Sequence, residues 1–451
     1  MSTRDTLERQ IGLATATALV VGETIAVGIF LTPAGMAKSL GSPALVLLVW
    51  LLMGAMALCG ALCYGELAAR FPEAGGGYVY LREAYGAPLA FLYGWMALLV
   101  MDPGLTAALA VGLATYVGYS LSLPPPWIKI VAVAAIVALA AVNVRGVRLG
   151  AWFVRWLTVL KLGLLAVILL WGFVFRLGDW SNFAPLVARR PSPLPLAGAL
   201  AGGVVSAFFS FGGWWDVSKL AGEVRRPART LPRALTLGVL VVTVVYVLTS
   251  AAFIYLVPLE RVETGETFAA QAGEVLFGRL GGQLFSAVVV VAVLGSLAVI
   301  IMSAPRVYFA MARDGLFFRA AAALHPRYAT PARAVLVEAA LASLLVAVGT
   351  FNQIISYFIF VVVIFVGLTV AAVYVLRRRG GPAHLEYATP GYPATPAAFL
   401  LLTVVLLALL AGGNPRQSLL GVAVVAAGLP VYYLLFRRKL VAGDSPGGET
   451  S

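Results

Sequence analysis

Apolar runs of about 20 residues recur along the whole chain, a length that crosses the hydrocarbon core of a bilayer as a helix. Lipid leaves no water to satisfy backbone N–H and C=O groups, so a spanning segment must bond to itself or close into a barrel. The 451 residues are 61% hydrophobic and only 11% charged. A soluble domain carries about 25% charged residues, so no soluble domain of useful size can be cut from this chain. The sequence predicts an all-α integral membrane protein.

Charged, Gly and Pro punctuation divides the runs into about twelve helices, near residues 10–38, 43–69, 87–121, 127–143, 150–176, 196–220, 233–257, 282–312, 333–350, 353–377, 395–412 and 417–436. The polar stretch from Leu440 to Ser451 reads as a disordered tail. Arg4, Asp5, Glu8 and Arg9 precede a first run too long for a signal-peptide core, so no cleavable signal is expected.

Placing the N-terminus inside puts most Lys and Arg on the cytoplasmic side. That side then holds Arg70, Arg82, Arg145, Arg148 and Arg155, then Lys219, Arg225, Arg226, Arg229 and Arg233. It also holds Arg306, Arg313, Arg319, Arg327, Arg333 and the runs at Arg377 and Arg437. Both termini are expected in the cytoplasm, with the chain in the plasma membrane. The net charge of +13 is then topology and lipid headgroup contact, not a nucleic-acid surface. Two His and two Cys argue against a metal site, and no cofactor is expected. Cys59 and Cys63 lie four apart on one helix, which suits packing better than a disulfide.

Two runs carry interruptions that a plain anchor would avoid. The first is Val21-Gly22-Glu23-Thr24-Ile25-Ala26-Val27-Gly28-Ile29-Phe30, with two glycines and an acid near mid-depth. The second is Phe208-Phe209-Ser210-Phe211-Gly212-Gly213-Trp214, five helices later. A helix broken in the membrane exposes N–H groups on one half and C=O groups on the other, which suits the ends of a small zwitterion. Corresponding breaks suggest two five-helix halves of inverted topology, 10–176 and 196–377, followed by two extra helices over 395–436.

Several motifs occur in order and in register between about residues 10 and 335. They are Gly22 to Phe30 with Thr32-Pro33, Glu66-Leu67 through Phe71-Pro72, and Gly75-Gly76-Gly77-Tyr78. Further on come Phe209 to Trp214 with Glu223, Pro227 and Leu231-Pro232-Arg233, then Pro305-Arg306-Val307-Tyr308 and Ala310 to Gly315. Together they resemble the amino acid–polyamine–organocation superfamily, most closely its L-type amino acid transporter branch. The resemblance implies the LeuT-like fold, a five-plus-five inverted repeat with helices 1 and 6 broken at mid-membrane. It also implies alternating-access transport, commonly exchange, with substrate held between the two breaks.

The substrate site is expected at Ile25, Ala26, Val27 and Gly28, and at Phe209, Ser210, Phe211 and Gly212. The N–H groups of Val27 and Gly28 suit a carboxylate, and the carbonyls of Ile25, Phe209 and Ser210 suit an ammonium. By resemblance, Phe209 matches an aromatic gate. Where the family usually has Gly-small-Gly, this chain has Ala26-Val27-Gly28, which narrows the pocket and favours a small substrate.

Lys161, alone at mid-depth, matches by resemblance a helix 5 lysine whose ammonium stands in for the sodium ion of related transporters. It would brace helix 1 against helix 8 near Gly295 to Ser303, and transport would be sodium-independent. Glu23 stands where the family has a small or apolar residue, and three partners are open to it: Lys161, a substrate ammonium or a proton. Asp102, beside Pro103, is a second mid-depth acid that either joins the same network or faces an aqueous vestibule. The partners of Glu66, Glu223 and Asp314 at the cytoplasmic ends are left open.

The function expected is sodium-independent exchange of small neutral amino acids. Proton-coupled symport and antiport of cationic amino acids or polyamines are the alternatives. An intramembrane enzyme would need a Ser/His dyad, a metal cluster or an acid pair, and none is arranged convincingly. An amino acid sensor would usually carry a soluble output domain. Disulfide-linked relatives carry a cysteine between helices 3 and 4; the stretch Ser120 to Lys129 has none, so no covalent heavy chain is expected.

Overall fold

The computed structural model describes residues 7–184, 196–258, 268–348, 351–380, 386–413 and 415–436. The expected tail, Leu440 to Ser451, lies outside them. The described chain is helical: α1 (Leu13–Thr24), α2 (Gly28–Leu40), α3 (Pro43–Arg70), α4 (Gly77–Tyr85), α5 (Ala87–Met96), α6 (Asp102–Leu121), α7 (Pro125–Val144), α8 (Val147–Val174) and α9 (Leu196–Phe211). There follow α10 (Pro227–Leu256), α11 (Phe268–Phe277), α12 (Gly281–Ser303), α13 (Pro305–Arg313), α14 (Ala332–Val348), α15 (Phe351–Arg378), α16 (Ala394–Gly413) and α17 (Pro415–Ala426).

Ten stretches among the described residues are long and apolar enough to cross a membrane. The remaining two predicted spans are the divided first run, α1 and α2 with 12 and 13 residues, and α14 with 17. At 1.5 Å per residue, α14 reaches about 26 Å, a little short of a hydrocarbon core of about 30 Å. Two short helices were not anticipated: α4, where Gly76 at φ 52 starts a new helix after the α3 end, and α11.

Local chemistry sets several boundaries. Gly41, left-handed at φ 56, ends α2, and the Ser42 hydroxyl accepts the Leu45 N–H to start α3 with Pro43 at its first turn. Pro103 has no N–H for the carbonyl four residues back. Just before it, Ala97–Met101 widens into a π turn that joins α5 to α6 and turns Asp102 into the interior.

The helix pairing repeats across the chain. α2 packs on α9, α3 on α10 and α6 on α12; α1 packs on α10 as α3 packs on α9, and α8 on α12 as α15 on α6. α8 shows how each helix divides its faces. Val154, Thr158, Lys161, Leu165 and Ile168, three or four apart, are buried, while Val159, Leu160, Val167 and Leu170 are exposed. Exposed tryptophans flank that apolar band, Trp152 and Trp156 at one end and Trp171 at the other, as expected at the two interfaces of a bilayer.

Polar contacts close one end of the bundle. Glu66 lies 2.7 Å from Arg70 and 2.6 Å from Arg377. Asp314 accepts from Tyr78 at 2.8 Å and from Arg82 at 2.5 Å. Arg306, fully buried, donates to Glu223 at 2.9 Å and to the Met302 carbonyl. The N-terminal segment is laced to the same region: Gln10 and Ile11 donate their N–H groups to the Glu223 carbonyl, and Arg225 donates back to Ile11. Removing one partner of a buried pair leaves the other charge uncompensated. Arg306→Ala is expected to destabilise the fold by roughly 3–5 kcal/mol, read as a lowered Tm of the detergent-purified protein.

Candidate functional site

α1 ends at Thr24 because Ile25, at φ −76 and ψ 84, leaves helical geometry. The Ala26 N–H turns back to the Thr24 carbonyl, and α2 restarts at Gly28. The Val27 N–H has no backbone acceptor among the described residues. Gly28, in the first turn of α2, has no acceptor within that helix. These N–H groups form the positive end of the α2 dipole.

The second interruption faces the first. α9 ends at Phe211, Gly213 takes φ +100, and a 3-10 helix from Asp216 to Glu223 follows. The two elements touch closely: a Cβ on Gly28 would lie 2.8 Å from Ser210 Cα, so only glycine permits the approach. The hydroxyls of Thr32 and Ser210 share a hydrogen bond at 3.0 Å across the gap. The Tyr246 hydroxyl on α10 lies 2.6 Å from both the Thr24 and Ser210 carbonyls, so one buried group ties the two ends together.

Lys161 is fully buried, and its ammonium sits in a cage of oxygens. It donates to the Gly22 carbonyl at 2.8 Å, to the Ile25 carbonyl, and at 3.5 Å to the Ser296 hydroxyl of α12. Ser296 itself donates to Gly22 at 2.7 Å. The ammonium thus fills the cage left by carbonyls that α1 frees at its end, and ties α1 to α8 and α12.

A cavity of about 60 Å³ lies between the interruptions. Ala26, Val27, Gly28, Phe209, Ser210 and Gly212 line it, as do Phe208, Trp215 and the apolar side chains of Met101, Leu105 and Leu109. Glu23 and Asp216 are its two acidic lining residues.

Three expectations from the sequence need correction, and one of the three partners open to Glu23 is not taken. The Ile25 carbonyl is held by Lys161 and Ser296, and Ile25 does not line the cavity. Phe211 also points elsewhere and packs against Trp50 and Tyr246. Lys161 gives its hydrogen bonds to carbonyls and a hydroxyl rather than to Glu23, and neither oxygen of Glu23 meets a donor. Lys219 is no surface anchor: it is 1% exposed and lies 3.0 Å from both Asp102 and Asp216.

That last contact creates a buried polar cluster. Asp102 accepts from Lys219 at 3.0 Å and from Tyr308 at 3.1 Å, and Asp216, 3.0 Å from Lys219, lines the cavity together with Glu23. Asp102 stands behind the cavity wall and does not line it. Further along α6, Thr106 donates to the buried Glu338 of α14 at 3.0 Å. Asp216, Lys219, Tyr246 and Ser296 were missed as site residues. For Asp216 and Lys219 a signal was available, since a three-residue spacing puts both on one face of a helical turn.

Tyr246→Phe removes the hydroxyl between the two carbonyls. It is expected to cost about 1–3 kcal/mol, read as a lower Tm, with a larger loss of transport than of folded protein.

The amino acid permease family model matches residues 11–436. The serine/threonine exchanger SteT of Bacillus subtilis is 30% identical over 97% of this chain and 100% of its own. The human large neutral amino acids transporter small subunit 2 is 29% identical over 95% of this chain and 80% of its own. The mouse Asc-type amino acid transporter 1 is 29% identical over 96% and 82%. With the helical membrane architecture and the motifs of the two interruptions, these matches show that the chain belongs to the amino acid permease family, in the L-type transporter branch of the amino acid–polyamine–organocation superfamily.

Proposed function

We propose that this chain is a sodium-independent exchanger of small neutral amino acids, working by alternating access in the plasma membrane with both termini in the cytoplasm. The observation that carries the reading is the cavity between the α2 N-terminus and the end of α9. One water needs about 10–15 Å³ measured this way, so about 60 Å³ suits a solute of few heavy atoms. Ala26 and Val27 narrow it from one side and Phe209 from the other. The α2 N-terminus offers N–H groups to a carboxylate. One relative fits this size class by its name, a serine/threonine exchanger.

Sodium independence rests on Lys161. A fixed ammonium among the Gly22, Ile25 and Ser296 oxygens supplies the charge that a bound cation would bring there. The LeuT-like reading rests on the pairing pattern. Counting α1 with α2 as helix 1, helices 1, 2 and 3 pair with helices 6, 7 and 8 through α2–α9, α3–α10 and α6–α12. Exchanging the halves 10–176 and 196–377 maps these contacts onto themselves, as an inverted repeat requires. α16 and α17 then belong to the two added helices over 395–436. Cys59 and Cys63, both reduced, sit on α3 rather than in the α6–α7 connection, so no disulfide-linked heavy chain is proposed.

Proteoliposomes loaded with labelled L-serine test the reading. Efflux is expected when serine or threonine is outside, at a rate unchanged when choline replaces sodium, with little efflux for arginine outside. Uptake into empty vesicles driven by a pH gradient alone, with no counter-substrate, would replace exchange with symport.

A further inference from the structure

We propose that Glu23 and Asp216 together form the ammonium subsite of the cavity, and that in the empty protein the pair holds a proton which an entering ammonium displaces. This rests on the proposed amino acid transport and names how the same site holds the cationic end of its substrate.

Three observations carry it. First, the carbonyls that the broken helices offer are already engaged. Ile25 accepts from Lys161 and Phe209 from the Gly212 N–H, while the Tyr246 hydroxyl, with its one proton, lies 2.6 Å from both the Ser210 and the Thr24 carbonyls. Second, Glu23 is 3% exposed, lines the cavity, and has no donor at either oxygen. It is held close to the second interruption, since a Cβ on Gly213 would lie 2.8 Å from Glu23 Cγ. A second acid, Asp216, is also buried and lines the same cavity. Third, the charges do not balance. The charged groups facing Glu23 are Asp216 and Lys219 on the 3-10 segment and Asp102 on α6, three acids around one ammonium. Lys161 on α8 bonds to the Gly22 and Ile25 carbonyls, and Tyr246 on α10 to those of Thr24 and Ser210.

Unpaired buried carboxylates are costly, and two acids in contact share a proton rather than both ionise. The shared proton sits between Glu23 and Asp216, because Glu23 has no donor at either oxygen and only these two acids line the cavity, while Asp102 is held by both Lys219 and Tyr308. A substrate ammonium brings the missing positive charge. The proton then leaves to solvent, and the ammonium donates to both carboxylates while the substrate carboxylate faces the N–H groups of Val27 and Gly28. No bond other than O–H is broken: the ammonium replaces the proton's positive charge between the two carboxylates, and the substrate carboxylate brings one negative charge that the N–H groups of the α2 N-terminus face.

The test uses the full-length protein in detergent and in proteoliposomes. Calorimetry of L-serine binding in buffers of different ionisation enthalpy is expected to report about one proton released per serine bound. Glu23→Gln and Asp216→Asn are each expected to raise the Kd for serine about tenfold or more and to abolish the proton release. If a variant does not fold, the parent decides through competition by ethanolamine and by N-acetyl-L-serine. Ethanolamine, which keeps the ammonium, is expected to compete, and N-acetyl-L-serine, which lacks it, is not. Equal competition by N-acetyl-L-serine, or variants with the parent's Kd and proton release, would overturn the subsite. A parent that binds serine with proton release yet shows no exchange would instead sink the transport reading and leave the subsite standing.

Discussion

The ammonium of Lys161 makes an interrupted α1 tolerable inside a membrane. Ending a helix in an apolar interior strands carbonyls, each costing several kcal/mol without a donor. Lys161 and Ser296 supply donors to Gly22 and Ile25, and Tyr246 covers Thr24. The charge of Lys161 in turn needs those oxygens, since an isolated ammonium at depth is equally costly. Each defect stabilises the other, and the cavity exists because both are satisfied away from it. The Val27 N–H is left with no backbone acceptor among the described residues, and Val27 and Gly28 line the cavity.

Much of this was legible in the sequence, for physical reasons. Apolar length marks membrane helices, and the run at Pro43 begins where proline sets a helix start, whereas α10 begins at Pro227, ahead of the expected 233. Gly28 and Gly212 marked the interruptions, and six of the eight residues expected around them line one cavity. Lys161 was conspicuous because nothing else basic lay as deep. What stayed hidden depended on three-dimensional direction. Phe211 is adjacent to Ser210 yet turns into the Trp50–Tyr246 aromatic cluster. Lys219 sits in a stretch rich in arginines and reads as one more surface charge. A 3-10 turn, with three residues per turn, stacks it over Asp216 and carries both inward.

The acid cluster is assembled around Glu23, which is buried with no donor at either oxygen. The structure answers with an acid opposite it, a lysine behind that acid, and a second acid from the π-turned end of the α5–α6 helix. Four residues from three distant stretches of the chain therefore form one electrostatic unit, and the identity of any one is intelligible only with the others in view.

The short pairing between the N-terminal segment and the chain after the second interruption has a mechanical consequence. Ile11 is bridged to Val224, and the backbone bonds from Gln10, Ile11 and Arg225 fasten the start of α1 to the end of the Asp216–Glu223 segment. The two elements that carry the carboxylates of the cavity are thus yoked at the ends away from it, so a swing of either one drags the other or breaks those bonds.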